Sequence, residues 1–388
     1  MKVVLEVQSV CTPIPTGIAW YAVNLVDNLL SRANHDYALA FFDKGKERGN
    51  REKYVDKFFG KHNPELFECN TESFKVVNTS EDAYKILSYN DYTGAIGDVF
   101  HFMLPLWMPG RLTGEMVVTV HDLIAALHPE MSLSEENARN CATGFNLIKQ
   151  KKPICIADSL STKADICNNS DISPDNVFVV PLAHDPSAFY PDKDDNALRE
   201  FGIDSTYILF AGTVDDPRKG VADIIDAFES LASNHDGLML VLAGDYGHRR
   251  GWERIKEKLG NSNLKERIIL TGFVTVKQLR NLMSGAGVFL FPSEYEGFGL
   301  PVLEAMACGS PVITANVSSL PEVGGDAVVY VEPNKPEQLA FEIERLLNSE
   351  ELRNEYTLKG YEQTRKFSWS KTAQMTEEAY TVAYERRQ

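Results

Sequence analysis

Short uninterrupted runs of Val, Ile, Leu and Phe alternate with longer amphipathic segments along most of this 388-residue chain. Runs of this kind are typical of parallel strands buried on both faces, and the longer segments have helical spacing. In the first half the predicted strands are 2–7, 37–42, 99–102, 116–120, 154–157 and 177–180. In the second half they are 207–211, 238–243, 268–271, 288–291 and 311–314. The pattern predicts an α/β chain with two doubly wound parallel sheets.

The length of the chain exceeds the size at which a single hydrophobic core usually stops growing. The polar, proline-containing stretch 185–195 separates the two groups of strands and is the predicted linker. We therefore predict domains at 1–187 and 188–369, followed by a terminal helix over 370–387. Two such sheets facing each other would bring the carboxyl ends of their strands to one crevice, where ligands bind in open α/β sheets.

The composition narrows the class of protein. A formal charge of −16 argues against nucleic-acid binding, which needs a basic face. The apolar run at the amino terminus is interrupted by Glu6, which makes it too short for a secretory signal, and no other segment approaches a membrane-spanning length. Six dispersed cysteines without a C-x-x-C pair suggest neither a zinc site nor a disulfide framework. We expect a cytoplasmic enzyme.

The segment 288–314 carries the strongest functional pattern: strand, glycine loop, helix, glycine stop and strand. Gly297 and Gly299 would allow close backbone approach, and Gly309 would end the helix. The free amides and positive dipole at the start of that helix favour a phosphate. We expect the anion near Gly299 and Leu300.

Two carboxylates flank this glycine loop. Glu304 is expected in the first turn of the helix, within reach of the ribose hydroxyls of a nucleotide, and Glu296 precedes the loop and would face a sugar. The alternative is that Glu304 only complements the helix dipole and that Glu296 is a solvated loop residue. The combination of strand, glycines and spacing favours a functional pair.

The spacing of Glu296 and Glu304 matches an E-x7-E motif, and here the sequence resembles the retaining glycosyltransferases of family 4. The resemblance covers nearly the whole chain and is strongest between residues 211 and 323. It implies the GT-B fold, two Rossmann-like domains facing across a cleft, with residues 370–388 crossing back to the first domain. It also implies that Glu304 holds the donor ribose, that Glu296 contacts the donor sugar, and that the intervening loop, including Phe298, lines the donor site.

A second strand, glycine loop and helix lie at 207–228. Arg218 and Lys219 in this loop could stabilise a departing diphosphate, although an isolated basic pair is more often a solvated turn. Many members of the family carry an arginine directly after the loop glycine, where this chain has Thr213. We expect Arg218 to take that role, as in relatives with a similar Gly-Thr and Pro-Arg-Lys pattern.

His121 and Asp122 end the apolar run 116–120, where the strand would meet the crevice. The family has a histidine at the matching position that contacts hydroxyls of the donor sugar, so His121 is assigned this role by resemblance, with Asp122 as its neighbour. The alternative for the pair is a core or capping role.

Two further positions are assigned to donor binding by resemblance. Gly17 follows the first strand and would contact a donor phosphate or the acceptor, although Ala19 stands where relatives often have glycine and a lone glycine is equally a plain turn. Phe273 and Val274 lie in a segment that borders the nucleotide base in relatives, and packing is the alternative for Phe273.

Residues 44–61 carry seven basic residues against three acidic ones, with Tyr54, Phe58 and Phe59 among them. A solvated helix is the plain explanation. The alternative is attraction to the inner membrane face or to a phosphorylated lipid acceptor, which would make the protein peripherally membrane-associated.

Together these features predict transfer of a hexose from a nucleotide-sugar donor to a hydroxyl of a glycan or lipid-linked glycan, with retention, without a metal or other cofactor. The Gly-Thr and Pro-Arg-Lys variant resembles bacterial mannosyltransferases of polysaccharide and O-antigen assembly, which favours GDP-mannose; UDP- and dTDP-sugars stay open. The family is usually described by front-face substitution, and a covalent role for Glu296 is the less favoured alternative. The rival class is a non-catalytic sugar-nucleotide-binding subunit, which the absent arginine at Thr213 would support. A phosphorylase or an epimerase of the same fold is less favoured.

Overall fold

The computed structural model describes residues 1–11, 17–42, 50–69, 96–108, 112, 114–214, 218–247 and 251–388. The chain divides into two compact units. The first contains Met1–Leu127, Arg139–Leu182 and Trp369–Gln388, and the second contains His128–Ala138 and Ala183–Ser368. The sequence did not predict that the short segment His128–Ala138 groups with the second unit.

The first unit is built on a parallel sheet whose strand order is β3-β2-β1-β4-β5-β6-β7. Its strands are β1 (Lys2–Glu6), β2 (Asp36–Phe42), β3 (Glu65–Cys69), β4 (Val99–Phe102), β5 (Glu115–Val120), β6 (Ile154–Ala157) and β7 (Val177–Val179). Its helical segments are α1 (Gly17–Arg32), α2 (Asn50–Phe59), α3 (Ile124–Leu127), α4 (Glu135–Lys151) and α5 (Leu160–Asn168). The strand order is that of a doubly wound sheet, in which the chain starts in the middle and winds outward in both directions.

The second unit repeats this arrangement with the strand order β10-β9-β8-β11-β12-β13, again parallel throughout. Its strands are β8 (Tyr207–Ala211), β9 (Met239–Ala243), β10 (Ile268–Gly272), β11 (Val288–Phe291), β12 (Val312–Ala315) and β13 (Val329–Val331). Its helices are α6 (Asp195–Glu200), α7 (Val221–Leu231), α8 (Trp252–Asn261), α9 (Val276–Gly285), α10 (Leu300–Ala307), α11 (Leu320–Gly324), α12 (Pro336–Leu347) and α13 (Glu350–Thr364). Two doubly wound parallel sheets were predicted, and this fold is confirmed.

The central strands form because their side chains are buried on both faces. Every residue of β4, β6, β8, β9, β11 and β12 is buried. Such runs remove a large apolar surface from water, at roughly 25 cal/mol per Å². Helices cover both faces of each sheet, so the polar groups that follow the strands lie at the carboxyl edges.

The terminal helix α14 (Trp369–Glu385) returns to the first unit, as predicted. Glu377 on this helix accepts hydrogen bonds from Arg32 Nε, at 3.0 Å, from Asn34 Nδ2, at 2.9 Å, and from Tyr37 Oη, at 3.0 Å. The helix is therefore held to α1 and β2 by a buried carboxylate as well as by apolar packing.

The predicted linker 185–195 belongs to the second unit. Arg280 of α9 holds it there, since its Nη2 lies 2.7 Å from Asp192 Oδ2. In the described part of the chain, no helix is both long enough and apolar enough to cross a membrane.

Candidate functional site

Glycine positions set the start and end of α10, which follows β11. Gly299 has φ of +108°, and a Cβ atom there would lie 2.9 Å from Leu320 Cδ2, so a larger residue would be strained and crowded. The helix therefore begins abruptly at Leu300. Gly309 has φ of +87° just after the helix, and a Cβ atom there would collide with Tyr361 Oη. An anion bound at this helix would use the backbone amides at its start.

Three of the predicted residues lie together beside this loop. Glu296 Oε1 accepts hydrogen bonds from Lys219 Nζ, at 2.6 Å, and from Arg218 Nη1, at 2.9 Å. Arg218 Nη1 also donates to the Tyr295 carbonyl at 2.8 Å, and Lys219 Nζ lies 4.6 Å from the centroid of the Phe291 ring. The cluster joins the loop after β8 to the loop after β11.

The charges of this cluster are mutually dependent because both central groups are buried: Lys219 is 9% exposed and Glu296 is 8% exposed. Burial alone would raise the pKa of Glu296, but the charges of Lys219 and Arg218 outweigh it and hold that pKa below its usual value. In this cluster two cations face one carboxylate. Such a cluster can attract a diphosphate.

Two serines that the sequence did not suggest hold the backbone of the Glu296 loop. Ser318 Oγ accepts a hydrogen bond from the Glu296 amide at 2.9 Å, and Ser319 Oγ lies 2.8 Å from the carbonyl oxygens of both Glu296 and Phe298. Gly297, between these two carbonyls, is buried. The available signal was a polar pair shortly after β12, which ends beside β11 in the sheet.

Glu304 lies further along α10 than predicted. It is the fifth residue of the helix and so belongs to its second turn, because the left-handed Gly299 starts the helix at Leu300. Its side chain is half-buried, and burial raises its pKa to about 7. Its carboxylate forms no ion pair or hydrogen bond with any residue that the structure describes, while its backbone carbonyl accepts from the Cys308 amide. The role of Glu304 in ribose binding stays a prediction.

The other predicted residues of the second unit differ in accessibility. Phe298 is buried and packs edge-to-face on Phe367, with ring centroids 5.9 Å apart, so its side chain has a packing role. Phe273 is 76% exposed, so packing is not its role. Val274 and Thr213 are half-buried. Thr213 lies two residues after the end of β8, and residues 215–217 lie outside the described part of the chain.

In the first unit, His121 forms a pair with a residue that the sequence did not single out. His121 Nδ1 lies 2.8 Å from Oδ2 of the buried Asp158. The ring of Tyr21 meets the imidazole edge-to-face, with centroids 4.7 Å apart. Burial alone would lower the pKa of His121, but the charge and hydrogen bond of Asp158 outweigh it, with a smaller contribution from Asp122, and the pKa is raised.

Two predicted residues of the first unit lie at helix starts. Asp122 is exposed, and its Oδ1 accepts a hydrogen bond from the Ile124 amide at 3.0 Å, so it caps α3. Gly17 is exposed and is the first residue of α1. The preceding residues 12–16, which complete the loop after β1, lie outside the described residues.

Glu6, at the end of β1, is a further buried carboxyl group that the sequence treated only as an interruption of an apolar run. It accepts hydrogen bonds from the amides of Gln8 and Met103, the latter at 3.3 Å. Burial raises its pKa to about 8, against the opposing effect of these two amides. It ties the segment after β1 to the segment after β4.

Of the basic segment 44–61, residues 44–49 lie outside the described part, and the remainder forms α2 and the turn that follows it. Lys61 pairs with Asp27 at 2.6 Å, and Lys57 Nζ lies 5.1 Å from the centroid of the Phe58 ring. Within the described ranges, no cluster of three or more His, Cys, Asp or Glu residues could hold a metal ion.

Comparison with known proteins adds a family and a set of relatives. Residues 194–363 match the family model described as Glycosyl transferases group 1. The chain is 27% identical over 403 residues to the O-antigen chain mannosyltransferase B of Escherichia coli, covering 98% of this chain and 100% of that relative. It is 27% identical over 311 residues to the serotype-specific mannosyltransferase WbdA of Escherichia coli, covering 79% of this chain but 37% of that relative.

Among solved structures, that of Anabaena Alr3699/HepE in complex with UDP and glucose superposes with a TM-score of 0.71 at 17% identity. The superposition covers 98% of this chain and 99% of that chain. At this identity the likeness establishes the fold.

Proposed function

We propose that this chain, a glycosyltransferase of the GT-B fold with a group 1 domain at residues 194–363, transfers mannose from GDP-mannose to a hydroxyl of a glycan or lipid-linked glycan. The observation that carries the chemistry is the cluster of Arg218, Lys219 and Glu296 beside the start of α10. Transfer would retain the anomeric configuration and would need no metal.

The cations of this cluster suit a departing diphosphate. Negative charge grows on the leaving group as the bond to the sugar breaks, and fixed cations in a buried site stabilise such charge more than they would in water. Arg218 and Lys219 would supply the charge that a divalent cation supplies in other enzymes. The amides at the start of α10 would add hydrogen bonds from Gly299 onward.

Glu296 would exchange partners when the donor binds. Before binding, its Oε1 neutralises part of the charge of Lys219 and Arg218. A diphosphate brings more negative charge than one carboxylate, so it would take over both cations and leave Glu296 free to accept hydrogen bonds from sugar hydroxyls. This is the role that we propose for Glu296.

We propose front-face substitution rather than a covalent intermediate on Glu296. A carboxylate that shares one oxygen with two cations is a weak nucleophile, which supports a binding role. Incubation with a slow donor analogue, followed by mass spectrometry of the intact protein, tests this step. A glycosyl adduct on Glu296 would overturn the front-face mechanism.

Mannose and GDP are favoured by the names of the two relatives, both called mannosyltransferases. UDP is the alternative because UDP is bound in the structurally similar HepE. A panel of GDP-, UDP- and dTDP-sugars tested by thermal shift distinguishes them, since a ligand at about 100 times its Kd stabilises the folded state by about 2.7 kcal/mol. A larger shift with a UDP- or dTDP-sugar than with GDP-mannose would contradict the donor assignment.

Transfer itself needs a second measurement. Purified protein, GDP-mannose and a mannose-terminated acceptor, with and without EDTA, should give a product whose new linkage is α by NMR. A β linkage would contradict retention, and loss of activity with EDTA would contradict metal independence.

A non-catalytic sugar-nucleotide-binding subunit is the second candidate, favoured by Thr213, which stands where many family members have arginine. This candidate predicts a thermal shift without transfer to any acceptor and without hydrolysis of the donor. The presence of Arg218 within 2.9 Å of Glu296 supports the catalytic alternative.

We also propose peripheral contact with an anionic membrane face through α2 and α1. Trp20 is 41% exposed and meets Phe58 edge-to-face, with centroids 6.1 Å apart, next to Lys57. Exposed aromatic rings beside cations suit a membrane interface. Sedimentation with vesicles containing anionic lipid should capture the protein, and Trp20→Ala should weaken capture. Equal capture by neutral vesicles would contradict the electrostatic part.

A further inference from the structure

His121 and Asp158 are brought together by the register of two neighbouring strands. In the parallel pair β5 and β6, Val120 lies opposite Ala157, and these are the last residues of their strands. The residues that follow, His121 and Asp158, therefore leave the sheet side by side at its carboxyl edge. Their contact, 2.8 Å between His121 Nδ1 and Asp158 Oδ2, is built by the central part of the sheet and does not depend on a mobile loop.

The imidazole is restrained from more than one side. Asp158 holds Nδ1, and the Tyr21 ring packs against its face edge-on. Thr162 Oγ1 donates to the His121 carbonyl at 3.3 Å, and Ser159, which caps α5, accepts from the Thr162 amide at 3.1 Å. Side chain and backbone of His121 are thus fixed together.

The second ring nitrogen has a different environment. Burial raises the pKa of Asp158, and the contact with His121 opposes that rise. An ionised Asp158 can only accept from Nδ1, so Nδ1 then carries a proton and the state of Nε2 is what remains variable. His121 Nε2 is buried and makes no well-aligned hydrogen bond to a described residue, although the Met103 carbonyl lies near the imidazole and also raises the pKa of His121; Asp158 Oδ1 is buried and likewise makes no hydrogen bond to a described residue. Buried polar atoms are nearly always paired in folded proteins, so an unpaired one needs an explanation other than stability.

We propose that Asp158 is a positioning residue for the transfer reaction: it fixes the proton and the ring orientation of His121, so that Nε2 is presented to a hydroxyl of the donor sugar. The presentation of Nε2 to a donor hydroxyl rests on the proposed function. The fixing of the His121 proton by Asp158 concerns the folded protein alone and can be tested without a substrate.

Ionisable groups from other elements also face the ring. His101 faces it from β4, Tyr21 from α1 and Asp122 from its own loop. Of these, Asp158 and Asp122 favour the protonated ring, and burial opposes it. Removing the charge of Asp158 should therefore change the titration of His121 more than removing the charge of Asp122.

Nuclear magnetic resonance of histidine-labelled protein tests whether Asp158 fixes the proton of His121. In the wild type His121 should titrate above the ordinary value of about 6.5 and carry its neutral-state proton on Nδ1. Asp158→Asn keeps an acceptor for Nδ1 but removes the charge, so the midpoint should fall by about one pH unit or more while the tautomer stays. Asp171→Asn, at an exposed site of the same unit, should leave both unchanged.

An unchanged midpoint in folded Asp158→Asn would overturn the inference. If this variant does not fold, the wild type still decides, because a neutral-state proton on Nε2 would also overturn it. Neither result would affect the proposed transferase activity, which is measured separately.

A double-mutant cycle tests whether Asp158 acts on the transfer reaction through His121. In metal sites, loss of the residue that orients a ligating histidine typically costs about 10–100-fold, and we expect a loss of that order here: Asp158→Asn should lower kcat by about this factor and His121→Ala by at least as much. The double variant should be no slower than His121→Ala, since Asp158 acts through His121. Additive losses in the double variant, or full activity of His121→Ala, would overturn the positioning role even with the NMR result intact.

Discussion

Lys219 Nζ lies 2.6 Å from Glu296 Oε1, and each of these residues is more than nine-tenths buried. Burying an ion pair costs the desolvation of both charges. Removing one partner therefore destabilises the protein more than removing both, because it leaves a buried charge unpaired. The residues proposed to meet the donor therefore also contribute to folding. Their substitution should change stability as well as activity, and the two effects can be separated.

Lys219→Met should abolish transfer and lower the free energy of unfolding by about 2–3 kcal/mol, because Glu296 loses one partner but retains Arg218. The double variant Lys219→Met with Glu296→Gln should recover most of that stability and stay inactive. Urea unfolding with a parallel transfer assay measures both. Lys193→Met, which removes an exposed pair with Asp195 at 3.2 Å, should cost about 0.5 kcal/mol or less. If Lys219→Met is as stable as the wild type, the predicted contribution of the Lys219–Glu296 pair to folding is wrong.

Glu304 should make donor binding depend on pH around neutrality, because burial raises its pKa to about 7. The ionised carboxylate is the stronger acceptor for ribose hydroxyls, so nucleotide affinity should rise between pH 6 and pH 8. Glu304→Gln should bind more weakly and lose this dependence. Calorimetric titration with the nucleotide at several pH values measures it. The same pH dependence in Glu304→Gln would exclude Glu304 as its source.

Glu304 should also make the free energy of unfolding depend on pH, with the opposite sign to nucleotide affinity. The folded pKa of Glu304 lies above its unfolded value of 4.5, so the native state holds the extra proton between these values. Stability therefore falls as pH rises from about 4.5 to 7 and is level above. At pH 8, Glu304→Gln should be more stable than the wild type, on the order of 1–3 kcal/mol. Glu337→Gln, at an exposed site of the same unit, should behave as the wild type.

The sheet could be predicted from the sequence because burial on both faces leaves a local signal. The segments that became β6, β8 and β11 are uninterrupted apolar runs, β4 is apolar except for His101, and the bounds of all four were predicted to the residue. The edge strand β3 was missed because Glu65 and Glu68 interrupt its apolar pattern, and the edge strand β13 was also missed. Edge strands need less burial, so they leave less of a signal.

The candidate site could be predicted only where its residues share a local motif. Glu296 and the glycines of the α10 loop follow one strand, and Lys219 follows another. Asp158 and Ser318 belong to no local sequence motif. Asp158 meets His121 through strand register, and Ser318 meets Glu296 where two loops come together, so neither contact could be predicted from the sequence. Glu304 was expected in the first turn of α10, but the helix begins at Leu300, so Glu304 is its fifth residue and lies in the second turn.

Glu377 should hold α14 to the first unit. Burial would raise its pKa, but hydrogen bonds from Arg32, Asn34 and Tyr37 outweigh this and lower it. Glu377→Ala should reduce the free energy of unfolding by about 2–3 kcal/mol, because these donors lose a charged acceptor. Glu378→Ala, at the exposed neighbouring position, should change it by about 0.5 kcal/mol or less.

The effect of Glu377→Ala should also shrink in acid. A carboxylate with a lowered folded pKa contributes its stability above the unfolded value of 4.5 and loses it as pH falls through the folded value. Urea unfolding of both variants at pH 7 and pH 4 measures this. An equal loss for Glu377→Ala and Glu378→Ala at pH 7 would exclude a specific contact.

His101 should make the first unit sensitive to acid. It is fully buried, with Nδ1 2.7 Å from Tyr380 Oη on α14 and Nε2 2.8 Å from Thr119 Oγ1 on β5. Burial lowers its pKa to about 3, helped by the charge of His121. The unfolded chain therefore binds the proton more readily below pH 6.5, and stability is lost as pH falls from 6.5 toward 3, with a slope of up to about 1.4 kcal/mol per pH unit.

Two variants separate this titration from the hydrogen bond. His101→Gln should flatten the pH dependence of unfolding between pH 6.5 and 4, since the group that takes up the proton is gone. Tyr380→Phe leaves His101 Nδ1 buried without its partner and should cost about 1–3 kcal/mol at pH 7, whereas Tyr384→Phe, half-buried on the same helix, should cost less. Urea unfolding across this range measures both. If His101→Gln keeps the full acid dependence, another buried group takes up the proton, and α14 is not tied to the sheet through a neutral histidine.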